Sequence, residues 1–528
     1  MTYRVLIADP LSTEGIEPLQ ANEDIKVDIK TDLCVNELME IIENYDALLV
    51  RSQTQVTKEL IEKGKKLQVI GRAGVGVDNI DIDAATEHGV VVVNAPSGNI
   101  NAAAEHTMAM MMSLARNIPQ AFHSLKNDVW DRGSYIGVEV KSKTLGIIGL
   151  GRIGGEVAYR AKGQRMHVIA YDPFLTEKQA EAMGIQKGEF SEVVQQADFL
   201  TVHTPLMKET RNIINKEVFS EMKDTAYIIN CARGGIINEE SLYDALQANE
   251  IAGAAIDVFV DEPAIGSPLL SLPNVIATPH LGASTVEAQE NVAIDVSEDV
   301  VRILSGKLAR NPVNIPSVPE ESMKEVAPYL TLSEKLGEFL AKIQDDPVEE
   351  MHIRYAGEVA NIDVAPLTRN TIKGYLRPHL GSRVNDVNAA YVAEKKGIAI
   401  HEHKTSSAKG FTNAITLEIK TSNGKRTATG TLLNGLGARI VNIDGYPVDV
   451  VPEGHVVMVH HKDQPGAIGK VGTLFAREGI NIASMHVGRT KIGGDAIMML
   501  TIDHELHKGV LEKAKEFKHI YNITPIEL

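Results

Sequence analysis

The stretch that decides the fold is "KTLGIIGLGRIGGEVAYRAKGQRMHVIAYD", residues 143–172. An apolar run with β spacing leads into Gly149, Gly151 and Gly154, which form a GxGxxG pattern. A helical stretch follows, and a second strand-like run ends at Asp172. A strand, a glycine turn, a helix and a strand in this order are typical of a parallel α/β sheet that binds a dinucleotide.

Each glycine of the pattern has its own task. Gly149 permits a sharp turn out of the strand, Gly151 leaves room for a pyrophosphate, and Gly154 lets the helix pack closely. The helix begins near Arg152, and its free N–H groups favour an anion. Asp172 stands 18 positions after Gly154, where a carboxylate accepts hydrogen bonds from ribose hydroxyls and repels a 2′-phosphate. We therefore expect NAD rather than NADP; the competing interpretation is a glycine turn without a ligand.

Three further residues complete a hydride-transfer site. His280 in "TPHLGAS" is a candidate general base, and Glu262 in "DVFVDEP" is a candidate buried carboxylate that orients it. Arg233 in "NCARGG" is a candidate for binding a substrate carboxylate in bidentate fashion. Each residue alone is ordinarily structural or a surface charge. Together, at the ends of strand-like runs, they predict a dehydrogenase of hydroxy acids that needs no metal.

Composition bounds the remaining possibilities. The 528 residues exceed a single core, and the net charge of −17 argues against a nucleic-acid partner. Two cysteines, Cys34 and Cys231, suit a reducing compartment. Cys231 lies beside Arg233, which leaves a reactive thiol as an alternative to a small residue lining the cofactor site. The absence of a long apolar run and of a signal peptide predicts a cytoplasmic protein without a membrane partner.

The order of helical and strand-like runs predicts four domains. Two parallel-sheet lobes, Rossmann-like or flavodoxin-like, would flank a cleft, joined by helices at about 101–118 and 284–304. The substrate-binding lobe would comprise 1–98 and 286–316, and the dinucleotide-binding lobe 99–285. A proline-rich joint, "NPVNIPSVPE", would lead to an α+β intervening domain at 317–452. The last domain, 453–528, has a βαββαβ pattern whose first helix carries Ile468, Val471, Leu474 and Phe475 on one face.

These motifs carry a family resemblance. "GRAGVGVDNIDIDAATEHGVVVVNAPSGN", "INCARGGIIN" and "ATPHLGAST" are similar to the D-2-hydroxyacid dehydrogenases, and the whole chain most resembles the long-form D-3-phosphoglycerate dehydrogenases with a C-terminal ACT domain. The resemblance implies the roles given above for Arg233, Glu262 and His280. It also implies further NAD contacts, which come from Arg152, Ile153, Thr204, Cys231, Ala232, Arg233 and Asp257. For the intervening domain it implies an allosteric site for anions, substrate included; the residues alone support only a module of unknown role.

The expected reaction is oxidation of D-3-phosphoglycerate to 3-phosphohydroxypyruvate, the first step towards L-serine. Arg51 and Arg72 end strand-like runs and suit a phosphate, while Arg233 suits the carboxylate. Two alternatives remain: a glyoxylate or hydroxypyruvate reductase, and a non-enzymatic dinucleotide sensor.

The ACT resemblance concerns regulation. It implies an amino-acid effector, here L-serine, bound between paired modules of a homodimer or homotetramer through His461, Asp463 and Asn481. The alternative is a structural module that has lost its ligand.

Overall fold

The computed structural model describes residues 2–316, 320–408 and 410–528. The proline-rich joint predicted over 311–320 therefore falls partly outside the described residues, at 317–319. Within the described residues, no helix combines the length and the apolar character needed to cross a membrane.

The first lobe is built on a parallel five-stranded sheet. Its strands are β1 (Tyr3–Ile7), β2 (Ile25–Ile29), β3 (Ala47–Val50), β4 (Val69–Arg72) and β5 (Val91–Asn94). Its helices are α1 (Thr13–Gln20), α2 (Val35–Ile41), α3 (Lys58–Lys63) and α4 (Ile82–Glu87). The strand order β2-β1-β3-β4-β5 reverses between β1 and β3. This reversal opens a crevice at the carboxyl ends of those two strands.

The second lobe has a parallel seven-stranded sheet. Its strands are β6 (Thr144–Ile148), β7 (His167–Tyr171), β8 (Gln186–Lys187), β9 (Phe199–Val202), β10 (Tyr227–Asn230), β11 (Gly253–Ile256) and β12 (Val275–Ala277). Its helices are α5 (Ile100–Ala115), α6 (Ile118–Lys126), α7 (Arg152–Gly163), α8 (Glu177–Met183), α9 (Phe190–Gln196), α10 (Lys216–Glu221) and α11 (Glu239–Gln247). The order β12-β11-β10-β9-β6-β7-β8 reverses between β6 and β9, so the predicted dinucleotide loop lies at the crevice.

A long helix returns the chain to the first lobe. This helix, α12 (Val286–Leu304), places Val292, Val296 and Val300 in the core that β1, β3, β4 and β5 also line. The segment after α12 also contacts β5, since the N–H of Val313 donates to the carbonyl of Val92 at 2.7 Å. Two chain crossings, through α5 and α12, therefore connect the lobes.

The intervening domain contains a mixed six-stranded sheet. Its elements are α13 (Glu320–Ile343), β13 (Val348–Gly357), α14 (Ala365–Leu380), α15 (Ala389–Lys395), β14 (Ala399–Thr405), β15 (Asn413–Thr421), β16 (Gly424–Leu433), β17 (Gly437–Ile443) and β18 (Tyr446–Val450). In the order β14-β13-β15-β16-β17-β18, only the β13–β14 pair is parallel. The edge strand β14 was not predicted, because its polar letters "HEHK" lack an apolar face.

The last domain has the predicted βαββαβ order. Its elements are β19 (His455–Lys462), α16 (Ala467–Arg477), β20 (Ile482–Arg489), β21 (Asp495–Ile502), α17 (Lys508–Lys515) and β22 (Ile520–Glu527), in an antiparallel sheet of order β20-β21-β19-β22. The prediction that Ile468 belongs to the apolar face of α16 was wrong, because Ile468 is 50% exposed and Ala467 is buried instead. Successive helical residues point about 100° apart, so burying Ala467 turns Ile468 away from the sheet.

Candidate active site

The glycine loop has the backbone geometry that a dinucleotide requires. Gly149 adopts φ +92°, and a Cβ there would lie 2.8 Å from the backbone carbonyl of His203. A Cβ on Gly154 would lie 2.3 Å from the carbonyl oxygen of Gly149. By contrast, a Cβ on Gly151 would meet no protein atom within 4 Å. The loop is therefore tight where the chain must turn and open where a pyrophosphate would lie against the N-terminus of α7.

Asp172 lies directly after β7, beside this loop. Its Oδ2 accepts a hydrogen bond from the N–H of Leu150 at 2.9 Å, and its Oδ1 accepts from the N–H of Phe174 at 2.8 Å. These bonds hold the carboxylate at the edge of the crevice. The carboxylate thus lies where a ribose would follow the pyrophosphate.

The other predicted cofactor residues beside the glycine loop and after β9 differ in burial and in their hydrogen bonds. Arg152 donates from Nη1 to the carbonyl of Pro96 at 3.1 Å and to Oγ of Ser97 at 3.2 Å. Ile153 is partly buried against the core of the second lobe. Thr204 has a buried Oγ1 without a hydrogen-bond partner among the described residues. A buried hydroxyl of this kind suits a polar ligand atom at the crevice.

Two predicted cofactor residues follow β10. Cys231 is buried, and burial, reinforced by the negative charge of Asp257, raises the pKa of its thiol. A raised pKa disfavours the thiolate, which argues against the reactive-thiol alternative. The N–H of Ala232 donates to Oδ1 of Asn230 at 3.0 Å, and Nδ2 of Asn230 donates to the carbonyl of Arg233 at 2.9 Å. Asn230 therefore shapes the turn that presents Arg233.

Asp257 lies wholly inside the second lobe. Its side chain is 0% exposed, and its oxygens accept hydrogen bonds from Thr278 Oγ1 at 2.5 Å, Leu281 N–H at 2.7 Å and Gly282 N–H at 2.9 Å. His106 Nε2 lies 3.1 Å from Oδ1. Burial raises the pKa of this carboxyl, but the bonds from His106 and Thr278 outweigh burial and lower it overall. The charged carboxylate thus holds the loop that carries His280.

Glu262 and His280 form the pair that the sequence predicts. Nδ1 of His280 donates to Oε2 of Glu262 at 2.8 Å, and Oε1 of Glu262 accepts from the N–H of Phe259 at 3.0 Å. His280 has φ +56°, and its N–H donates to the carbonyl of Asp257 at 2.9 Å. The side chains of Glu262 and His280 are 37% and 47% exposed, so the carboxylate is less buried than expected. Both residues follow strand ends that border the open cleft, which explains the exposure.

Arg233 bridges the two lobes. Its Nε lies 3.4 Å from Oδ2 of Asp78, and a Cβ on Gly76 would lie 2.2 Å from its Nη2. Arg233 therefore extends from the carboxyl end of β10 to the loop that follows β4 in the first lobe. Its positive charge also reaches Arg72 of the first lobe, whose pKa it helps to lower.

The first lobe supplies two more arginines to the same region. Arg51 follows β3, and Asp9 holds it there by accepting a hydrogen bond from its N–H at 2.6 Å. Arg72 ends β4, and burial, together with the positive charge of Arg233, lowers its pKa to about 10. Nε of Arg72 is buried without a partner among the described residues. A cation that is desolvated and repelled by like charges is prepared to bind an anion.

The predicted effector residues surround α16 without meeting one another. Asp463, before the helix, accepts from Arg489 Nη1 at 2.8 Å and from the N–H of Gly493 at 3.0 Å. Asn481, after the helix, donates to Asp503 Oδ2 at 2.8 Å. His461 is 2% exposed, and its Nε2 has no partner among the described residues.

Sequence reasoning missed the residues that support the site. Asp9, Asp78, His106 and Thr278 contact site residues or the loops that carry them, yet they belong to distant parts of the chain. No spacing rule links His106 on α5 to Asp257 after β11. One usable indication was the acid at the carboxyl end of β1, because the sheet order brings that end beside β3.

Models of three protein families match successive parts of the chain. The family described as "D-isomer specific 2-hydroxyacid dehydrogenase, NAD binding domain" matches residues 108–282. The "D-3-phosphoglycerate dehydrogenase intervening domain" matches 325–444, and the ACT domain matches 455–519. These matches confirm the recognition of an NAD-binding α/β domain followed by the two predicted carboxy-terminal modules.

Individual proteins agree with these matches. The chain is 44% identical to a D-3-phosphoglycerate dehydrogenase of Bacillus subtilis, covering 100% of both chains, and 44% identical to one of Methanocaldococcus jannaschii, covering 99% of this chain and 100% of the relative. A D-lactate dehydrogenase of Aquifex aeolicus, solved with NAD and lactic acid, is similar with a TM-score of 0.53 and 28% identity over 60% of this chain and all of its own. The chain belongs to the D-3-phosphoglycerate dehydrogenase family.

Proposed function

We propose that the chain oxidises D-3-phosphoglycerate to 3-phosphohydroxypyruvate with NAD. The observation that carries this proposal is the Glu262–His280 pair, at 2.8 Å, in a cleft whose opposite wall presents Arg51 and Arg72. The two free cysteines, Cys34 and Cys231, suit the cytoplasm as its location.

The protein's own groups divide the work. Since Nδ1 of His280 donates to Glu262, Nε2 is the atom that takes the hydroxyl proton of the substrate. Glu262 fixes this tautomer and stabilises the imidazolium that forms. Arg233 binds the substrate carboxylate, and Asp257 holds the His280 loop in place. When bound, NAD supplies the acceptor for the hydride that leaves C2.

The arginines of the first lobe give the substrate preference. Arg51 and Arg72 would bind the dianionic phosphate, which a simple hydroxy acid lacks. Because the net charge of the chain is −17, the global field does not attract an anionic substrate, and local arginines must capture it.

An absorbance assay for NADH tests the function. The full-length protein is offered D-3-phosphoglycerate, D-glycerate, D-lactate and glycolate with NAD, and the corresponding 2-oxo acids with NADH. We expect the phosphorylated acid to have the highest kcat/KM. A preference for glyoxylate or hydroxypyruvate would favour the reductase alternative, and a lack of turnover with tight NAD binding would favour a dinucleotide sensor.

We further propose that L-serine inhibits by binding between ACT modules of two subunits. The eleven residues of α16 span about 16 Å, so Asp463 and Asn481 of one chain cannot hold the same serine molecule. A site shared by two copies would bring opposite helix ends together, which requires at least a homodimer. Asp463 would then exchange its bond with Arg489 for the ammonium group of serine.

The effector proposal has its own experiment. Serine inhibition is measured on the full-length enzyme and on Asp463→Ala and Asn481→Ala, with Glu512→Gln on α17 as the control. We expect both alanine variants to lose inhibition, while uninhibited kcat stays near that of the control. Calorimetry that shows no serine binding to the wild-type chain would leave the module with a structural role only.

A further inference from the structure

A cluster of imidazoles lies on the outer part of the intervening sheet, on β13 and its edge neighbour β14. His352 pairs in register with His401, and Arg354 pairs with His403. Side chains alternate between the faces of a strand, so His401 and His403 share one face of β14, and Glu350 and His352 share one face of β13. The parallel pairing therefore brings three histidines and a carboxylate together on one face.

The contacts within the cluster are close. Nε2 of His352 donates to Oε2 of Glu350 at 2.7 Å, and Nδ1 of His352 lies 3.1 Å from Nε2 of His403. The ring of His352 stacks on His401 and His403 with centroids 4.6 and 5.4 Å apart. One ligand atom each from Glu350, His352 and His401 lie within 4.8 Å of one another. Because these three donor atoms lie so close together, small side-chain rotations would bring them around one metal ion.

The donor set has the chemistry of a transition-metal site. Two imidazoles and a carboxylate are a set that Zn²⁺ accepts, with its fourth position left to water. Oε2 of Glu350 accepts hydrogen bonds from Lys420 Nζ and His352 Nε2, so this oxygen already faces the imidazole that would share the metal. His403 occupies the position of an outer partner, because it contacts the other ring nitrogen of His352.

We propose that Glu350, His352 and His401 bind a divalent transition-metal ion of the Zn²⁺ class, with His403 orienting His352. With the metal on Nε2, His352 carries its proton on Nδ1 and donates it to Nε2 of His403. The ion joins the edge strand β14 to β13, where polar side chains otherwise face solvent. This site is separate from the dehydrogenase centre, which lies in the two lobes.

A substitution of Lys420 tests the proposal, because a metal site and a hydrogen-bonded cluster predict opposite changes in metal affinity. Its Nζ lies 2.8 Å from Oε2 of Glu350, and it neutralises the carboxylate that the metal would use. The ammonium must leave Glu350 before the metal binds there. Replacing Lys420 with methionine therefore strengthens metal binding, whereas it would weaken a cluster held together only by hydrogen bonds.

The experiment uses the full-length chain freed of metals with a chelator. Zn²⁺ is titrated in competition with a chromophoric chelator, and Co²⁺ is used as a spectroscopic probe of coordination. We expect one site per chain, weakened more than 100-fold in His352→Asn and His401→Asn. His403→Asn should weaken binding about 10–100-fold, the usual effect of an outer partner. Lys420→Met should bind more tightly than wild type.

The control is His123→Asn, which removes an exposed histidine of α6 and should leave the affinity unchanged. Far-UV circular dichroism and thermal unfolding of each apo variant establish that it is folded. Equal Zn²⁺ affinity in wild type and His401→Asn, or weaker binding in Lys420→Met, would overturn the proposal.

Discussion

The two lobes share one architecture, yet they offer an anion different groups: backbone N–H groups at a helix start in the second lobe and arginine side chains in the first. Both are parallel sheets with a reversal of strand order next to the first strand, after which the chain enters a helix. In the second lobe, the N-cap of α7 is Gly151, which has no side chain to cap the helix. In the first lobe, Ser12 caps α1 by accepting a hydrogen bond from the N–H of Gly15.

The difference lies in the N-cap residue of the helix that follows the first strand of each sheet. An uncapped helix start leaves backbone N–H groups for a pyrophosphate. A capped start satisfies one of them, and the carboxylate of Asp9 anchors the β3 loop instead. If the first lobe binds the substrate phosphate as proposed, the side chains of Arg51 and Arg72 are the groups that would hold it. Backbone binding suits a constant cofactor, whereas side chains can be exchanged to suit different substrates.

The largest expected effect is on kcat, and it distinguishes proton transfer from the binding of cofactor or substrate by the two lobes. His280→Asn should lower kcat by about 10²–10⁴, because a positioned general base is lost. NAD affinity, measured by fluorescence titration, should change little. A large loss of NAD affinity would mean that His280 belongs to the cofactor site rather than to proton transfer.

The next largest effect tests whether the first lobe binds the substrate phosphate through arginine side chains. Arg51→Ala and Arg72→Ala should each remove a charge-assisted contact that contributes about 1.5–3 kcal/mol. KM for D-3-phosphoglycerate should therefore rise, while KM for an unphosphorylated hydroxy acid should change far less. The matched control is Arg116→Ala, which lies at the C-terminal end of α5. An equal loss on both substrates would show that these arginines do not bind the phosphate.

Substitutions of two glycines test whether the second lobe binds the pyrophosphate of NAD through its backbone. Gly151→Ala should weaken NAD binding about tenfold or more, equivalent to ~1.4 kcal/mol, because the methyl group enters the open space for the pyrophosphate. Its free energy of unfolding should stay unchanged. Gly154→Ala should instead destabilise the apo protein by about 1–3 kcal/mol, since its Cβ meets the carbonyl of Gly149. Urea unfolding together with NAD titration distinguishes the two, and similar stability losses would contradict the interpretation.

The smallest effect concerns the stability of the arginine site. Burial lowers the pKa of Arg72 to about 10 in the folded chain, so its charge destabilises the fold at every pH below that value. The destabilisation is relieved only as the pH rises from about 10 towards the ordinary arginine pKa of 12.5. Arg72→Met should therefore raise the stability of the apo protein by about 1–2 kcal/mol, with the same difference at pH 6 and pH 9. Thermal unfolding measures this, with Arg51→Met as the control. A lower melting temperature would show that Asp9 and Asp78 already compensate the charge.

The sequence by itself determined the features that depend on neighbouring residues. The glycine loop, the strand that ends at Asp172 and the βαββαβ order of the last domain follow from local turn chemistry and periodicity. The order Arg233, Glu262, His280 along successive strands was sufficient to predict that they share an edge, because parallel strands present their carboxyl ends together.

Only the tertiary structure decided which distant residues meet. The contact of Arg233 with Asp78, the support of the His280 loop by His106 through Asp257, and the cluster of His352 with His401 all join segments that no spacing rule connects. The lowered pKa of Arg72 likewise depends in part on the charge of Arg233 in the opposite lobe. Pairing of strands and closure of lobes set these contacts, because burial and long-range charge are properties of the packed chain and not of any segment alone.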